Sequence, residues 1–345
     1  MMNVVLSCAP REKLGLYLSL GGACITLGPA FGPVISGLMC TLFGWRAVFV
    51  VPLVGGILVA AAGVKLVQNV GERSNTTLDI LSVVLLAAGI TAFVYSVGEF
   101  STNLIAGIVT FFAAIVLLGL FAARQLKLEH PVLNVRPMAS GRFWPACLLV
   151  VVSMMTTFSM SVLLPLYFEG AYGMTALVAG LLILPAIACN AVTSIVGGRV
   201  MDARGAWPLL PVGFALIAVG QIAISMTAAS MNIGVVVALT VVVYAGVGLV
   251  LSPSQTAGLE TLPAAEHPHG TALLNTWNMI AASFGPSLFI GLLSSSAATA
   301  GAAGAASDVA QAIGFAAAVR VAAVIAVVGF ATSLVYARRE SHMSH

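Results

Sequence analysis

Charge is scarce in this sequence. Its 345 residues include 14 lysines and arginines and 11 acids, against 60% hydrophobic residues and a mean hydropathy of +1.09. That balance excludes a soluble globular protein and points to an integral membrane protein. The short alternation of apolar and polar residues that a transmembrane β-barrel needs is missing too. There is no GxxxxGK loop to cradle a nucleotide, so nothing supports ATP-driven transport by this chain alone. No nucleophile and base fall together in a water-accessible stretch, and the chain reads as a non-enzyme. The five cysteines, Cys8, Cys24, Cys40, Cys147 and Cys189, include no CxxC pair, which argues against a disulfide framework and a zinc site and leaves them as small helix-packing residues. His267 and His269 lie in "HPH" and His342 and His345 in a polar tail, each pair without the third ligand that a metal normally requires.

What the sequence does have is length without charge. No charged residue occurs from Leu14 to Trp45, and none between Arg204 and Glu260, where only "TAASMN" interrupts the apolar run. A span needs about 20 apolar residues. Cutting at charges and turn residues gives ten segments, approximately 15–39, 45–68, 78–99, 103–124, 143–168, 176–200, 207–229, 233–258, 270–294 and 311–337. Threading these back and forth puts 12 of the 14 basic residues on one side, with only Arg46 and Arg320 on or toward the other. The positive-inside rule makes the basic side cytoplasmic and places both termini there, in the cell membrane. Trp45, Trp144 and Trp207 stand at span ends, where indole suits the headgroup zone. "SSSAATAGAAGAASD", ending at Asp308, reads as a flexible external loop whose last residue caps the final helix.

Two stretches carry more than hydrophobicity. In "LGPAFGPVISG", Gly28, Gly32 and Ser36 recur every four residues and share one helix face on which a neighbour can approach closely. Pro29 and Pro33 remove amide donors from the same helix and predict a bend. In "GGRVMDARGAWP", Asp202 can face the following helix N-terminus or the nearby Arg199 and Arg204, and Gly205 can take the positive φ of a tight turn. Read alone, the first pattern is equally that of ordinary close packing, and the second that of a solvated turn.

Together these stretches resemble two motifs of major facilitator transporters. Gly28, Gly32, Pro33, Ser36 and Gly37 match the antiporter motif G-x3-GP-x2-GG, with Ser36 in place of one glycine, and Gly198, Asp202, Arg204 and Gly205 match the short cytoplasmic-loop motif. "GWRAVFVVPLVGG", "TTLDI" and "LLPLYFEGAYGMTALVAGLLILPA" narrow the resemblance to the fourteen-helix drug/proton antiporter branch. The resemblance implies an all-α membrane protein, a major-facilitator-type bundle of about ten transmembrane helices whose N-terminal domain lacks four helices. It divides the chain into a two-helix remnant of that domain at 1–70, two linking helices at 71–125, a cytoplasmic loop at 126–142 and a six-helix C-terminal domain at 143–345. A loose echo of "GPVISGLM" as "GPSLFIGLL" at Gly285 fits a duplicated fold.

The implied activity is proton-coupled export of drugs or other small amphipathic molecules by alternating access, with no cofactor and the proton gradient as energy source. The alternative is a truncated, transport-inactive fragment or a membrane partner subunit. Expected partners are the bilayer and a small-molecule substrate, with no nucleic acid, and either self-association or a missing N-terminal segment. No ionisable residue falls at mid-depth, so the coupling machinery is not visible. Tyr167, Glu169, Asn190, Tyr244, Gln255, Asn275, Trp277 and Asn278 are either cavity or substrate contacts or helix-to-helix ties. Met154, Met155 and Met160 suit either a plastic pocket or plain packing. Arg46 and Asp79 are candidates for a charge network, Asp79 being equally a helix N-cap.

Overall fold

The computed structural model describes residues 31–32, 34–66, 79–99, 103–128, 131–141, 143–206, 209–263 and 266–341, and of residues 202, 204 and 337–341 the backbone only. Helices dominate it: α1 (Val34–Phe43), α2 (Val50–Leu66), α3 (Ile80–Glu99), α4 (Leu104–Lys127), α5 (Phe143–Tyr172), α6 (Ala176–Arg204), α7 (Leu209–Thr227), α8 (Ile233–Glu260), α9 (His267–Ala302) and α10 (Ser307–Ser341). Nine helical segments among the described residues, α2 together with the 3-10 turn before it (Trp45–Leu66) and α3 to α10, are long and apolar enough to cross a membrane. They correspond to the second through tenth expected spans, so this is an all-α, multi-pass membrane protein. Residues 15–30 of the first expected span lie outside the described residues, and its described part continues as α1 to Phe43.

Local sequence sets several helix ends. Asn103, Thr175 and Asn232 each stand just before a helix and accept an amide three residues on, from Ala106, Val178 and Val235, satisfying one of the donors a helix start leaves open. The expected loop at 294–308 is not a loop for most of its length. α9 runs through the serines and alanines to Ala302, leaving only 303–306 as a turn with Gly304 at φ +91°. Alanine has the highest helix propensity of any residue, and small residues that look like linker in water extend a helix already nucleated in the bundle. Asp308 accordingly sits inside the first turn of α10, where its carboxylate accepts the Val309 amide.

The interior belongs to α5–α10. A single apolar cluster draws on all six, with Tyr167, Phe168, Phe214, Phe289 and Phe315 among its fully enclosed side chains. Between hydrocarbon-solvated helices the hydrophobic effect gives little drive, so tight packing through small residues has to hold the bundle. α7 and α8 cross glycine on glycine: a Cβ on Gly246 would lie 2.5 Å from the Gly213 carbonyl oxygen. One helical step along, Gly248 turns the same helix against α6, where its Cβ would lie 2.6 Å from the Asn190 carbonyl oxygen.

α3 and α4 form a separate antiparallel hairpin that leans on α9. Phe93 stacks on Phe284 with ring centroids 5.1 Å apart. At the other end of the hairpin, Phe121 of α4 joins Leu133 of the connecting loop and Phe143, Leu273 and Leu274 of α5 and α9 in a second apolar cluster. By contrast, none of the residues of α2 is buried.

Candidate functional site

A transporter's working surfaces are the contacts between helices that move and the polar groups that cannot be left in lipid. The described part of the glycine-proline stretch makes one such contact. α1 approaches the first turn of α6 at Gly37, where a Cβ would stand 2.5 Å from the Ala176 carbonyl oxygen and 3.0 Å from the Leu177 nitrogen. Only a residue without a side chain admits that approach. Among the described residues of the motif, Gly37 makes this close contact. Gly32 is exposed with nothing among the described residues within 4 Å of its Cβ position, and Ser36 is half-buried. Gly28 and Pro33 lie outside the described residues.

At its far end α6 terminates on Gly205, whose φ of +73° lets its amide turn back onto the Met201 carbonyl at 2.9 Å. Gly198 is half-buried and open around its Cβ position, while the preceding Gly197 packs against the Gly248–Leu249 backbone of α8. Asp202 and Arg204 occupy the last turn of α6, and their side chains lie outside the described residues. α6 thus carries the Gly37 contact at its N-terminus and the loop motif at its C-terminus.

Three of the eight polar candidates, Tyr167, Asn190 and Tyr244, make hydrogen bonds that tie helices together. Tyr167 is fully enclosed at the end of α5. Its hydroxyl donates to the Ala228 carbonyl at 2.8 Å and lies 3.2 Å from the Tyr172 hydroxyl, and its ring stacks on Phe315 at 4.2 Å. Asn190 and Tyr244 are brought together, the Asn190 amide donating to the Tyr244 carbonyl at 3.1 Å, and the Tyr244 hydroxyl reaching toward the Thr157 carbonyl at 3.4 Å. These bonds join α6, α8 and α5. Glu169 and Asn275 are exposed and Gln255 is partly buried. Trp277, like Leu85 and Leu86 of α3, packs against the apolar cluster around Phe121 and Phe143. Asn278 is buried, and its Oδ1 finds no hydrogen-bond partner among the described residues. Met154, Met155 and Met160 are buried in the α5 packing.

The charge-network candidates separate. Asp79 stands immediately before α3 and pairs with Arg124 near the end of α4, at 2.7 Å from Nε and 3.1 Å from the second guanidinium nitrogen. Arg46 instead places its guanidinium over the adjacent Trp45 ring, 5.2 Å from the centroid. Asp79 also accepts the Ser82 hydroxyl at 2.6 Å. The relay continues inward: the Gln125 amide donates to Ser82 at 2.6 Å, and its carbonyl accepts the Leu133 amide at 3.1 Å, both buried. The Arg124 guanidinium, and after it the Ser82 hydroxyl, hold the Asp79 carboxyl down at about 2. Sequence reading missed Arg124, Ser82, Gln125 and the Leu133 amide. The available signal was that an acid opening one helix and a base closing the next must meet at the same end of a hairpin.

A family model described as the Major Facilitator Superfamily matches residues 1–286. The chain belongs to that superfamily. Among its superfamily relatives, the lincomycin resistance protein LmrB of Listeria monocytogenes is 31% identical over 297 residues, 85% of this chain and 63% of LmrB. The MFS-type transporter YcnB of Bacillus subtilis is 32% identical over 338 residues, 96% of this chain and 71% of YcnB. A multidrug resistance protein B homolog of Mycobacterium tuberculosis is 24% identical over 292 residues, covering 83% of this chain and 54% of that protein. The chain thus spans less than two thirds of the length of LmrB.

Proposed function

We propose that this chain is a transporter that exports drugs or other small amphipathic molecules across the cytoplasmic membrane by alternating access, driven by the proton gradient. The observation that carries the reading is the side-chain-free contact of Gly37 with the start of α6, a junction between the N-terminal helices and the C-terminal bundle. A moving interface needs a surface that seals closely without interlocking side chains, and glycine against backbone supplies it. Similarity to proteins named for lincomycin and multidrug resistance supports the substrate class. In this reading 143–345 is the C-terminal transporter domain, 71–125 the linking pair and 1–70 the N-terminal part. Asp202 with Arg204 holds the cytoplasmic gate at the end of α6, and Asn278 faces substrate. The bias of basic residues supports cytoplasmic termini.

A second reading has the chain acting only together with another membrane segment or a second copy, and the lack of any buried residue in α2 favours it. Efflux of a fluorescent cationic dye from energised cells tests both, with Gly37→Leu and Asp202→Asn as comparisons. Uncoupler-sensitive efflux, lost in Gly37→Leu and reduced in Asp202→Asn, is the expected result. A chain that reaches the membrane and moves no dye with or without an uncoupler removes the first reading. Efflux that survives Gly37→Leu removes the role given to the α1–α6 contact.

A further inference from the structure

Two parts of a protein move as one when they are fixed to each other at more than one level, since a single contact leaves a pivot. The helices of the α3–α4 hairpin are first fixed to each other. Gly89 brings α3 so close to α4 that an added Cβ would lie 2.8 Å from the Leu118 side chain. The Asp79 to Arg124 ion pair, at 2.7 Å, then closes the open end. What this two-helix unit is fixed to decides how it travels.

Three attachments hold it to the C-terminal bundle. At the first level Phe93 of α3 stacks on Phe284 of α9, with ring centroids 5.1 Å apart and planes 20° from parallel. At the second level Phe121 of α4 shares one apolar cluster with Phe143 of α5 and Leu274 of α9, and Leu86 of α3 and Trp277 of α9 pack against that cluster. Leu86 precedes Phe93 by seven residues and Trp277 precedes Phe284 by seven, so the two levels stand about 10 Å apart along both helices. The third attachment is polar. Leu133 of the connecting loop is buried in the same cluster, and its amide donates to the Gln125 side-chain carbonyl at 3.1 Å, while the Gln125 amide donates to the Ser82 hydroxyl at 2.6 Å. Gln125 and Ser82 are themselves enclosed, so sliding the hairpin along the loop would strand buried donors and acceptors. By contrast, α2 offers no buried residue with which to hold the hairpin.

We propose that α3 and α4 form one rigid body with α5–α10, and that Gln125 pins the connecting loop between them. In a transport cycle the hairpin then travels with the C-terminal bundle. The displacement falls between this body and the helices before it, across the contact of Gly37 with Ala176, a consequence that rests on the alternating-access reading above. Packed interfaces with enclosed polar bonds resist continuous deformation, whereas a contact of glycine with backbone has no side chains to unlock. The linking pair is on this account a fixed flank of the C-terminal bundle, not a slack connector between two moving halves.

Ile105 is exposed at the end of α4 far from Phe121 and Gln125, where a swing of the hairpin would be widest, and Ala303 is exposed in the turn between α9 and α10. Spin labels on Ile105→Cys and Ala303→Cys, in the full chain with its five native cysteines replaced by alanine, report the distance between hairpin and bundle in lipid vesicles with and without an imposed proton gradient. Leu53→Cys paired with Ala303→Cys reports α2 in the same way. One narrow distance for the Ile105 pair under both conditions, with the Leu53 pair shifting between them, is the expected result. A second distance or a shift for the Ile105 pair overturns the proposal. If neither pair shifts, the rigid body stands and the alternating-access reading is what fails. Gln125→Leu gives a separate readout by hydrogen exchange: the Leu133 amide, deprived of its acceptor, is expected to exchange about tenfold faster. Unchanged exchange there overturns the pinning by Gln125.

Discussion

At Gly248 an added methyl would meet the Thr193 side chain and the Asn190 carbonyl, and at Gly246 the Gly213 carbonyl, so α8 is pressed by backbone on two sides within one turn. Neither neighbour has a flexible side-chain end that can yield for both. Gly248→Ala is therefore expected to cost about 1–3 kcal/mol of stability, the range for overpacking a filled interior, measured by thermal unfolding in detergent. Tyr167 tests the opposite kind of change, the loss of one bond without loss of volume. Tyr167→Phe leaves the Phe315 stack in place and removes one of the two donors of the buried Ala228 carbonyl, the Met231 amide remaining, with an expected loss of about 1 kcal/mol in the same assay. Both positions show how sequence speaks at this scale. Glycine at 205 could be read as a turn residue because positive φ is a property of the residue itself. That Gly248 faces Asn190, or that the Tyr167 hydroxyl reaches Ala228, depends on a helix more than fifty positions away, and no local pattern encodes it.

Among the elements, the nine described spans were legible because hydrocarbon demands long apolar runs and charges mark their ends. α9 was read short because serine, alanine and glycine carry little hydropathy, while the helix depends on propensity and on continuation from a packed start. The clasp at the open end of the hairpin was half legible: Asp79 was visible as a helix-start acid, its partner was not. Its pH response follows from the depressed carboxyl. A folded-state value lowered to about 2 from about 3.8 means that the ion pair contributes fully above the ordinary value and is lost as pH falls through about 2. The unsubstituted chain should accordingly lose thermal stability more steeply than Asp79→Asn as pH is lowered from about 5 toward 2, with Asp79→Asn the less stable of the two near neutrality. Parallel curves would remove Asp79 from that role.

Over the whole molecule, the α3–α4 pair touches the C-terminal bundle through α9 and the start of α5, by the Phe93–Phe284 stack and by the cluster around Leu133 and Phe143. A double-mutant cycle of Phe93→Ala and Phe284→Ala should return a coupling of about 0.5–1.5 kcal/mol, as aromatic pairs give beyond the area they bury. Additive losses would mean that the rings are neighbours without being partners. The superfamily was readable from "LGPAFGPVISG" and "GGRVMDARGAWP" because those motifs rest on glycine, proline and charge at fixed offsets. The place where the chain brings Gly37 against Ala176 joins residues 139 positions apart and emerges only when the helices are assembled.

The hairpin's own polar bonds have a bearing on how the chain is made. Asp79 to Arg124, Ser82 to Gln125 and Asn103 to the Ala106 amide all close within α3, α4 and their immediate flanks. Among the described residues, the bonds that wait for residues translated after α4 are those of the Leu133 amide to Gln125 and of the Arg136 guanidinium to the Leu126 carbonyl, both within a few positions of it. As the ribosome passes the connecting loop, this pair can leave the translocation channel for lipid as a finished two-helix unit, with Asp79 and Arg124 already paired. α5 and the five helices after it would then be delivered against a wall that is standing when they arrive.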